Sequence, residues 1–482
     1  MKYIVKFFPE IMVKGDAVKK KMVRHLHENL KRLLLRLDEQ ITSQRFWDKI
    51  EVWVADDQPE LIEAVRQILV STPGIDQIWQ VQAYPIVDLE SVVARVVPFA
   101  LPLIENKTFV VRAKRSGEHM FNSMDLERAV GQALCQQGGS KGVSLHQAQV
   151  KIEFDVFDNQ LNIIEARYSG LGGYPLGSQG EILSLMSGGF DSTVASYLAI
   201  KRGIKTHFVF FNLGGTAHEL GVKQVAIYLW NRFESSHRIK FVTVPFEGVV
   251  AELFHSVHES YMGVMLKRLM LLAAEQVAKQ LHIDALLTGE SVAQVSSQTL
   301  KNLAVIDQAC EMLVLRPLAM MNKPDIIQLA DSIGTRQFAE AMPEYCGVIS
   351  KNPVTHASFD RSRREQVRFD TAVLDQALAQ MQIENVDELV AHIVAAAPVE
   401  IVRQPMAQDV VVDIRPLAEQ TRSPLPGALC VPFHQLSQAV KGWQQDRRYL
   451  LYCQKGVMSQ LHAQYLRDAG HVNVLVYRPE EG

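Results

Sequence analysis

The chain has 482 residues, 48% of them hydrophobic and 21% charged, and carries a net charge of −3. That length suggests about three domains, and the balance of apolar and charged residues excludes a disordered chain. No apolar run approaches the roughly 20 residues needed to span a bilayer, and Met1-Lys2-Tyr3-Ile4-Val5-Lys6 lacks a secretory hydrophobic segment, so a cytoplasmic protein without a membrane partner is expected.

Residues 1–60 read as strand, helix, strand, with β-rich stretches at Lys2–Phe8 and Lys49–Val54. Val18, Met22, His25, Leu26, Asn29, Leu30, Leu33 and Leu34 follow helical spacing between them. Residues 1–40 hold ten Lys/Arg against five Asp/Glu. The face around Lys19, Lys20, Lys21 and Arg24 therefore suits nucleic acid, and equally a solvated amphipathic helix. Residues 61–167 continue as an α+β module: helix Leu61–Leu69, turn Thr72-Pro73-Gly74, strand Gln77–Ala83, helix Leu89–Phe99 and strand Thr108–Ala113. A basic loop, Lys114-Arg115-Ser116-Gly117-Glu118-His119, follows, and Lys114 and Arg115, with Arg112 of the strand, are candidates to touch RNA phosphates; then come helix Ser123–Gln136 and paired strands Val150–Val156 and Gln160–Tyr168.

Gly170 to Gly177 form a glycine-rich connection, after which strands and helices alternate over residues 178–382. Strands are expected at Ile182–Met186, Lys205–Asn212, Lys240–Pro245, Ala285–Thr288 and Met312–Pro317. That spacing predicts a doubly wound parallel sheet with ligands at the strand C-termini. Helical turns after Asn322-Lys323-Pro324-Asp325 and the charged stretch Arg361–Arg368 close this domain. Residues 383–404 read as helix and linker, and 404–482 as a small α/β unit. Its strands are expected at Asp409–Ile414, Ala428–Val431, Tyr449–Tyr452 and Val472–Tyr477, with helices at Leu436–Trp443 and Ser459–Gly470.

Two loops carry chemistry. Ser187-Gly188-Gly189-Phe190-Asp191-Ser192 joins a strand to a helix, so its backbone N–H groups face an anion at the positive end of the helix dipole. The glycines admit a phosphate closely, Ser187 and Ser192 add hydroxyl donors, and Asp191 can hold Mg2+ transiently. No resident metal site is indicated. A Walker loop is excluded, since no Gly-Lys-Ser/Thr follows; a plain tight turn with a capping residue is the alternative. In the second loop Cys453 ends an apolar strand and precedes Gln454-Lys455-Gly456-Val457-Met458-Ser459. Inward N–H groups, a helix N-terminus and Lys455 are expected to favour its thiolate, making it a nucleophile able to store sulfur as a persulfide. Cys135, Cys310 and Cys430 are expected to be buried filler, and no Cys-x-x-Cys pair suggests zinc.

The pattern Ser-Gly-Gly-x-Asp-Ser resembles the PP-loop ATP pyrophosphatases, which split ATP between its α and β phosphates and adenylate an acceptor oxygen. The Cys453 loop together with Val410–Arg415 resembles a rhodanese domain; Met458 stands where many thiosulfate-using rhodaneses have arginine, which favours a protein-bound persulfide donor. With Phe7, Pro9 to Ile11, Phe211 to Gly215, Leu287 to Glu290, Val295 to Thr299 and Met342 to Ser350, the whole chain resembles the tRNA 4-thiouridine synthetase (ThiI) family in its long form.

That resemblance implies an α/β multidomain protein: a ferredoxin-like region over 1–60, a THUMP RNA-binding domain over 61–167, a PP-loop domain over 178–382 and a rhodanese domain over 404–482. It also implies ATP and Mg2+ as cofactors, ATP contacts at Leu185, Met186, Lys267, Gly289 and Gln298, and adenylation of uridine 8 of tRNA. Sulfur would come from Cys453, loaded by an IscS-type cysteine desulfurase, with Cys346 resolving the intermediate as a disulfide. Relatives also pass sulfur to thiamine synthesis through a sulfur-carrier protein. The sequence sets no quaternary state, and a homodimer is compatible with it. Two other readings predict less: another adenylating PP-loop enzyme needs no RNA module, and an RNA-binding nucleotide sensor needs no reactive thiol.

Overall fold

The structure is a computed structural model that describes every residue except 56, 57, 214, 341, 343–351, 390–398, 416, 454–456, 469 and 480–482. Two compact units divide it, Met1–Ser178 and Gln179–Gly482.

The first unit is built on one seven-stranded sheet. Its strands are β1 (Lys2–Phe7), β2 (Thr42–Arg45), β3 (Lys49–Trp53), β4 (Ile75–Pro85), β5 (Phe109–Ser116), β6 (Val150–Phe157) and β7 (Gln160–Ser169), in the order β2-β3-β1-β4-β7-β6-β5. Strand alternation sends Tyr3, Val5, Ile50, Val52 and Ile78 to one face, where helix α2 (Asp16–Leu34) covers them with Met22, Leu26 and Leu30; the short α1 is Pro9–Met12. Val18, expected on that apolar stripe, is exposed, because it lies in the helix's first turn beyond the sheet.

The break expected at residue 60 is not a break in the sheet. Helix α3 (Pro59–Ser71) inserts Val65 and Leu69 into the first core, and β4 pairs with β1 on one side and β7 on the other. Helices α4 (Leu89–Ile104) and α5 (Ser123–Gln137) build the second core with Phe109, Val111, Phe154 and Ile163. Both open with capping boxes, at Asp88/Ser91 and Asn122/Asp125. Helix α4 was expected to stop at Phe99 but runs on through Pro98 and Pro102. A mid-helix proline costs about 3 kcal/mol; burial of Ala100 and Ile104 offsets that cost.

The second unit holds two sheets. Strands β8 (Glu181–Leu185), β9 (Lys205–Asn212), β10 (Lys240–Pro245), β11 (Ala285–Leu287) and β12 (Leu313–Leu315) are parallel in the order β12-β11-β8-β9-β10. Their connecting helices are α6 (Phe190–Lys201), α7 (Gly215–Leu229), α8 (Glu247–Ser256), α9 (Met262–Leu281), α10 (Leu300–Asp307), α11 (Lys323–Ser332), α12 (Arg336–Glu340), α13 (Phe359–Arg368) and α14 (Ala372–Ala379). The sheet extends past the expected end of the domain, because β13 (Gln382–Asn385), expected as part of a helical linker, pairs antiparallel with β10. Strand order reverses beside β8, so the crevice for a ligand opens at the C-terminal ends of β8 and β11. Long α9 is buried over most of its surface, with Met265, Leu269, Ala273 and Val277 against Leu183, Val242 and Leu286.

The last sheet is wholly parallel, in the order β14-β18-β17-β15-β16. Its strands are β14 (Ile401–Val402), β15 (Val410–Asp413), β16 (Leu429–Cys430), β17 (Tyr449–Tyr452) and β18 (Val474–Tyr477), with helices α15 (Leu417–Arg422), α16 (Leu436–Ala439) and α17 (Val457–Asp468). Among the described residues no helix is long and apolar enough to cross a membrane.

Candidate functional site

Strand β8 ends at Leu185, and the loop that follows turns through Gly188 at φ +80° before Gly189 starts α6. A side chain at Gly188 would also strike Met342 at 2.6 Å. Part of the expected serine chemistry is internal. The Ser192 hydroxyl accepts from Ser187 N at 3.1 Å, lies 3.0 Å from Ser187 Oγ and donates to Gly189 O at 3.3 Å. Ser192 therefore braces the loop, and Ser187 is the exposed hydroxyl.

A cavity of about 400 Å³ opens on this loop. Leu185, Met186, Ser187, Gly189, Asp191, Ser192, Lys267, Gly289 and Gln298 all line it, although they come from four separate stretches of sequence. Gly289 is explained by contact: a Cβ there would sit 2.4 Å from the carbonyl carbon of Asp191, in the first turn of α6. Gln298 is 8% exposed and its Oε1 has no hydrogen-bond partner, as is also true of the buried Oε1 of Gln294. Buried polar atoms of this kind are costly unless a ligand or water satisfies them.

Charge in the cavity is arranged in two clusters, each including residues that sequence reasoning missed. Asp191 Oδ1 pairs with Lys323 Nζ at 2.7 Å and its Oδ2 accepts from Gln294 Nε2 at 2.6 Å. Lys323 opens α11 after the last parallel strand, the end of the sheet where ligands gather, and that position was the signal available for it. In the second cluster Glu290 Oε1 meets Lys267 Nζ at 2.7 Å, while Oε2 meets Arg316 Nε at 2.9 Å and the Thr288 hydroxyl at 3.1 Å. Burial would raise the Glu290 pKa, but the two cations outweigh it and hold it below the ordinary carboxylate value. His218 donates Nε2–H toward Ser187 O at 3.3 Å and stands edge-on to Phe210; burial lowers its pKa, so it is a neutral wall of the cavity.

No group of His, Cys, Asp and Glu suited to a resident metal occurs among the described residues. Asp191 is the carboxylate turned toward the loop, and a nucleotide-borne Mg2+ fits it only if Lys323 shifts to a phosphate, since both carboxylate oxygens are already engaged.

Cys453 follows β17 and is 8% exposed. Its sulfur accepts from the backbone N–H of Ser459, in the first turns of α17, at 3.2 Å and lies 3.4 Å from the Ser459 hydroxyl. The neighbouring strand end is fixed by buried Asp413, which binds Arg415 through Oδ1 at 3.0 Å and Oδ2 at 2.6 Å. Lys455 and Cys346 lie outside the described residues. The remaining cysteines correct an expectation: Cys135 and Cys430 are exposed and Cys310 is half-buried. Burial pushes the Cys310 thiol up to about 11. Cys135 lies on the polar side of α5 and Cys430 on edge strand β16, so neither position faces a core.

The basic residues of the first unit fall in two places. Lys19, Lys20, Lys21 and Arg24 line a groove of about 710 Å³ with Arg45 and Trp47, and Lys19 Nζ stands 5.0 Å over the Trp47 ring, which is 73% exposed. Lys114 is exposed and, with Lys6 and Arg167, surrounds Trp79. Arg112 is drawn to Glu127 at 3.5 Å, and Arg115 is tied into its own turn through Gly117 O and His119.

The chain matches three families: "Thiamine biosynthesis protein (ThiI)" over residues 177–371, "THUMP domain" over 88–164 and "Rhodanese-like domain" over 398–478. It is 47% identical over 483 residues to the tRNA sulfurtransferase of Azotobacter vinelandii and 45% identical over 483 residues to that of Marinobacter nauticus. Each alignment covers 99% of this chain and 100% of the relative. Its fold is similar to that of a 4-thiouridine synthetase solved in complex with RNA and bound ATP, with a TM-score of 0.69 and 23% identity over 80% of this chain and 99% of that one. It is also similar to PH1313 from Pyrococcus horikoshii, with a TM-score of 0.53 and 17% identity over 69% of this chain and 100% of that one.

Proposed function

The chain belongs to the tRNA sulfurtransferase family, and from that premise we propose that it makes 4-thiouridine at position 8 of tRNA in two linked steps. In the first, the uridine O4 attacks the α-phosphorus of ATP; the O–P bond forms, the bond to the β-phosphate breaks, and pyrophosphate leaves. C4 then carries AMP as a leaving group. In the second, the outer sulfur of a Cys453 persulfide attacks C4 and AMP departs. The Cys346 thiolate attacks the Cys453 sulfur, forming a Cys346–Cys453 disulfide and leaving the second sulfur on the base. A thiol reductant resets the pair.

One observation supports the first step above others: Asp191, Lys267, Gly289 and Gln298 line one cavity with the glycine loop. The loop amides and α6 N-terminus would receive phosphates, and Lys267 and Lys323 would balance the charge that develops on pyrophosphate. Asp191 would hold Mg2+ together with the phosphates, and the metal would add charge neutralisation there. The Cys453 sulfur with its N–H donor from α17 supports the second step, since a donor to sulfur favours thiolate. A cysteine desulfurase of the IscS type would load it. The same persulfide could feed a sulfur-carrier protein of thiamine synthesis, in keeping with the description of the matched family.

The test is reconstitution with ATP, tRNA, cysteine and a desulfurase. Pyrophosphate and AMP should appear in step with exchange of one tRNA oxygen for sulfur. Cys453→Ser should retain tRNA binding and lose thiolation; normal product from that variant would remove Cys453 from the reaction.

A further inference from the structure

We infer that helix α13 of the catalytic unit is a docking surface for tRNA phosphates at the lip of the nucleotide cavity, a reading that rests on the function proposed above. Its sequence, Phe359-Asp360-Arg361-Ser362-Arg363-Arg364-Glu365-Gln366-Val367-Arg368, places four arginines in ten residues. Ser358 caps it, its side chain accepting from Arg361 N. Ser362 and Glu365 are buried and fix which side faces inward. Arg363, Arg364, Val367 and Arg368 then share the outer side, at helical spacings of one, four and five, and all are exposed.

The inner carboxylate does not neutralise that surface. Glu365 accepts from His258 N at 3.2 Å and divides its charge between Arg361 at 3.7 Å and Arg368 at 3.4 Å. Among the described residues neither Arg363 nor Arg364 has a carboxylate within ion-pair distance. Asp360 and Asp370 flank the helix ends but leave the middle of the face positive. The Arg268 pKa is lowered by burial first and then by the charge of Arg363, as expected of an uncompensated guanidinium.

Contacts place the helix beside the cavity. The Arg361 guanidinium stacks 4.6 Å over the Tyr261 ring, and Ser358 N donates to the Tyr261 hydroxyl at 3.3 Å. Ser260, next to Tyr261, lines the cavity and its carbonyl accepts from Val354 N at 3.0 Å; Pro353 and Val354 line the cavity too. Arg268, adjacent to Lys267 on α9, donates to Gln366 Oε1 at 2.6 Å. The arginines are thus carried on the same scaffold as the proposed phosphate ligand.

An arginine face without lysine fits planar, bidentate capture of phosphate oxygens. A polyanionic substrate whose target nucleotide must enter this cavity brings its backbone past that lip. An acidic protein surface would also suit arginines, but a sulfur-donating protein must reach Cys453, not the nucleotide cavity.

The test compares the full chain with Arg363→Glu/Arg364→Glu and with Arg363→Lys/Arg364→Lys, each checked for an unchanged melting transition. With ATP saturating, the Glu pair should raise the KM for tRNA about tenfold and make its salt dependence shallower by about 1 to 2 in logarithmic slope. kcat at saturating tRNA and the KM for ATP should stay within about twofold, and the Lys pair should recover most of the affinity. A tRNA KM and salt slope equal to wild type would overturn the inference. So would slower persulfide loading of Cys453 with tRNA KM unchanged, which would mark a protein dock. If the wild-type chain fails to turn over ATP on tRNA, the proposed function fails instead, and direct tRNA binding by anisotropy still decides the role of α13.

Discussion

Replacing Glu290 by Gln tests how the cavity holds its cations. Glu290 is 8% exposed and sits between Lys267 at 2.7 Å and Arg316 at 2.9 Å. The amide keeps one acceptor oxygen, but its NH2 faces donors; Arg316 keeps Asp307 at 2.9 Å, whereas Lys267 loses its counter-charge. Breaking a buried ion pair from one side costs about 3–5 kcal/mol. For a unit spanning Gln179–Gly482 that corresponds to a fall of about 5–8 °C in its melting transition. The geometry makes a second, more specific demand. ATP brings negative charge to Lys267, so the stabilisation by saturating ATP should be larger in the variant than in wild type, partly restoring the loss. Thermal unfolding with and without ATP, alongside the KM for ATP, measures both. A variant melting within about 2 °C of wild type, or showing a smaller gain with ATP, would refute the argument that Glu290 holds Lys267 for a phosphate.

Asp191→Ala should lower pyrophosphate release on tRNA at least about a hundredfold while persulfide loading of Cys453 proceeds normally; loss of both would deny that the two centres act independently. Lys114→Ala should weaken tRNA binding and reduce its salt slope by about 1, whereas Arg115→Ala, whose guanidinium is tied to Gly117 and His119, should change the slope little; the reverse ranking would place RNA elsewhere. His207 is buried in β9, with Nδ1 accepting from Lys240 N and Nε2–H donating to Glu181, and burial lowers its pKa from 6.5 to about 4. The unfolded chain therefore binds a proton between these values that the folded chain refuses, so stability is full above pH 6.5 and falls by up to about 3 kcal/mol as pH drops toward 4. Melting of wild type and His207→Leu from pH 7.5 to 4.5 checks this, and equal pH slopes would show that another group controls the acid limb.

The parallel sheet of the catalytic unit was readable because strands buried on both faces are near-continuous apolar runs separated by helices, as at Phe208–Phe211. The edge strand at Gln382–Asn385 was not, since a polar Gln-Ile-Glu-Asn segment lacks an apolar pattern and gains strand form only by pairing with β10. The glycine loop announced itself through local punctuation. Lys323, Gln294, Glu290 and Arg316 did not, because each sits in an unremarkable loop or helix start and becomes part of a site only when the sheet gathers the C-terminal ends of β8, β11 and β12. Lys267, Gly289 and Gln298 were reached through family resemblance. The structure supplies their physical reasons: an ion pair, a forbidden Cβ and an unsatisfied buried amide oxygen.

The two proposed centres are joined by one element inside the second unit. Helix α7 contributes His218 to the wall of the nucleotide cavity, and six residues further along Gln224 Nε2 meets the His462 ring of α17 at 3.3 Å. Six residues of helix span about 9 Å. Beside this contact Phe338 of α12 packs 4.5 Å from Phe433, so the domain carrying Cys453 is seated on the helices that flank the cavity. The Gln224–His462 and Phe338–Phe433 contacts are thus where the rhodanese-like domain meets the helices that wall the nucleotide cavity, and any displacement of that domain would have to break them.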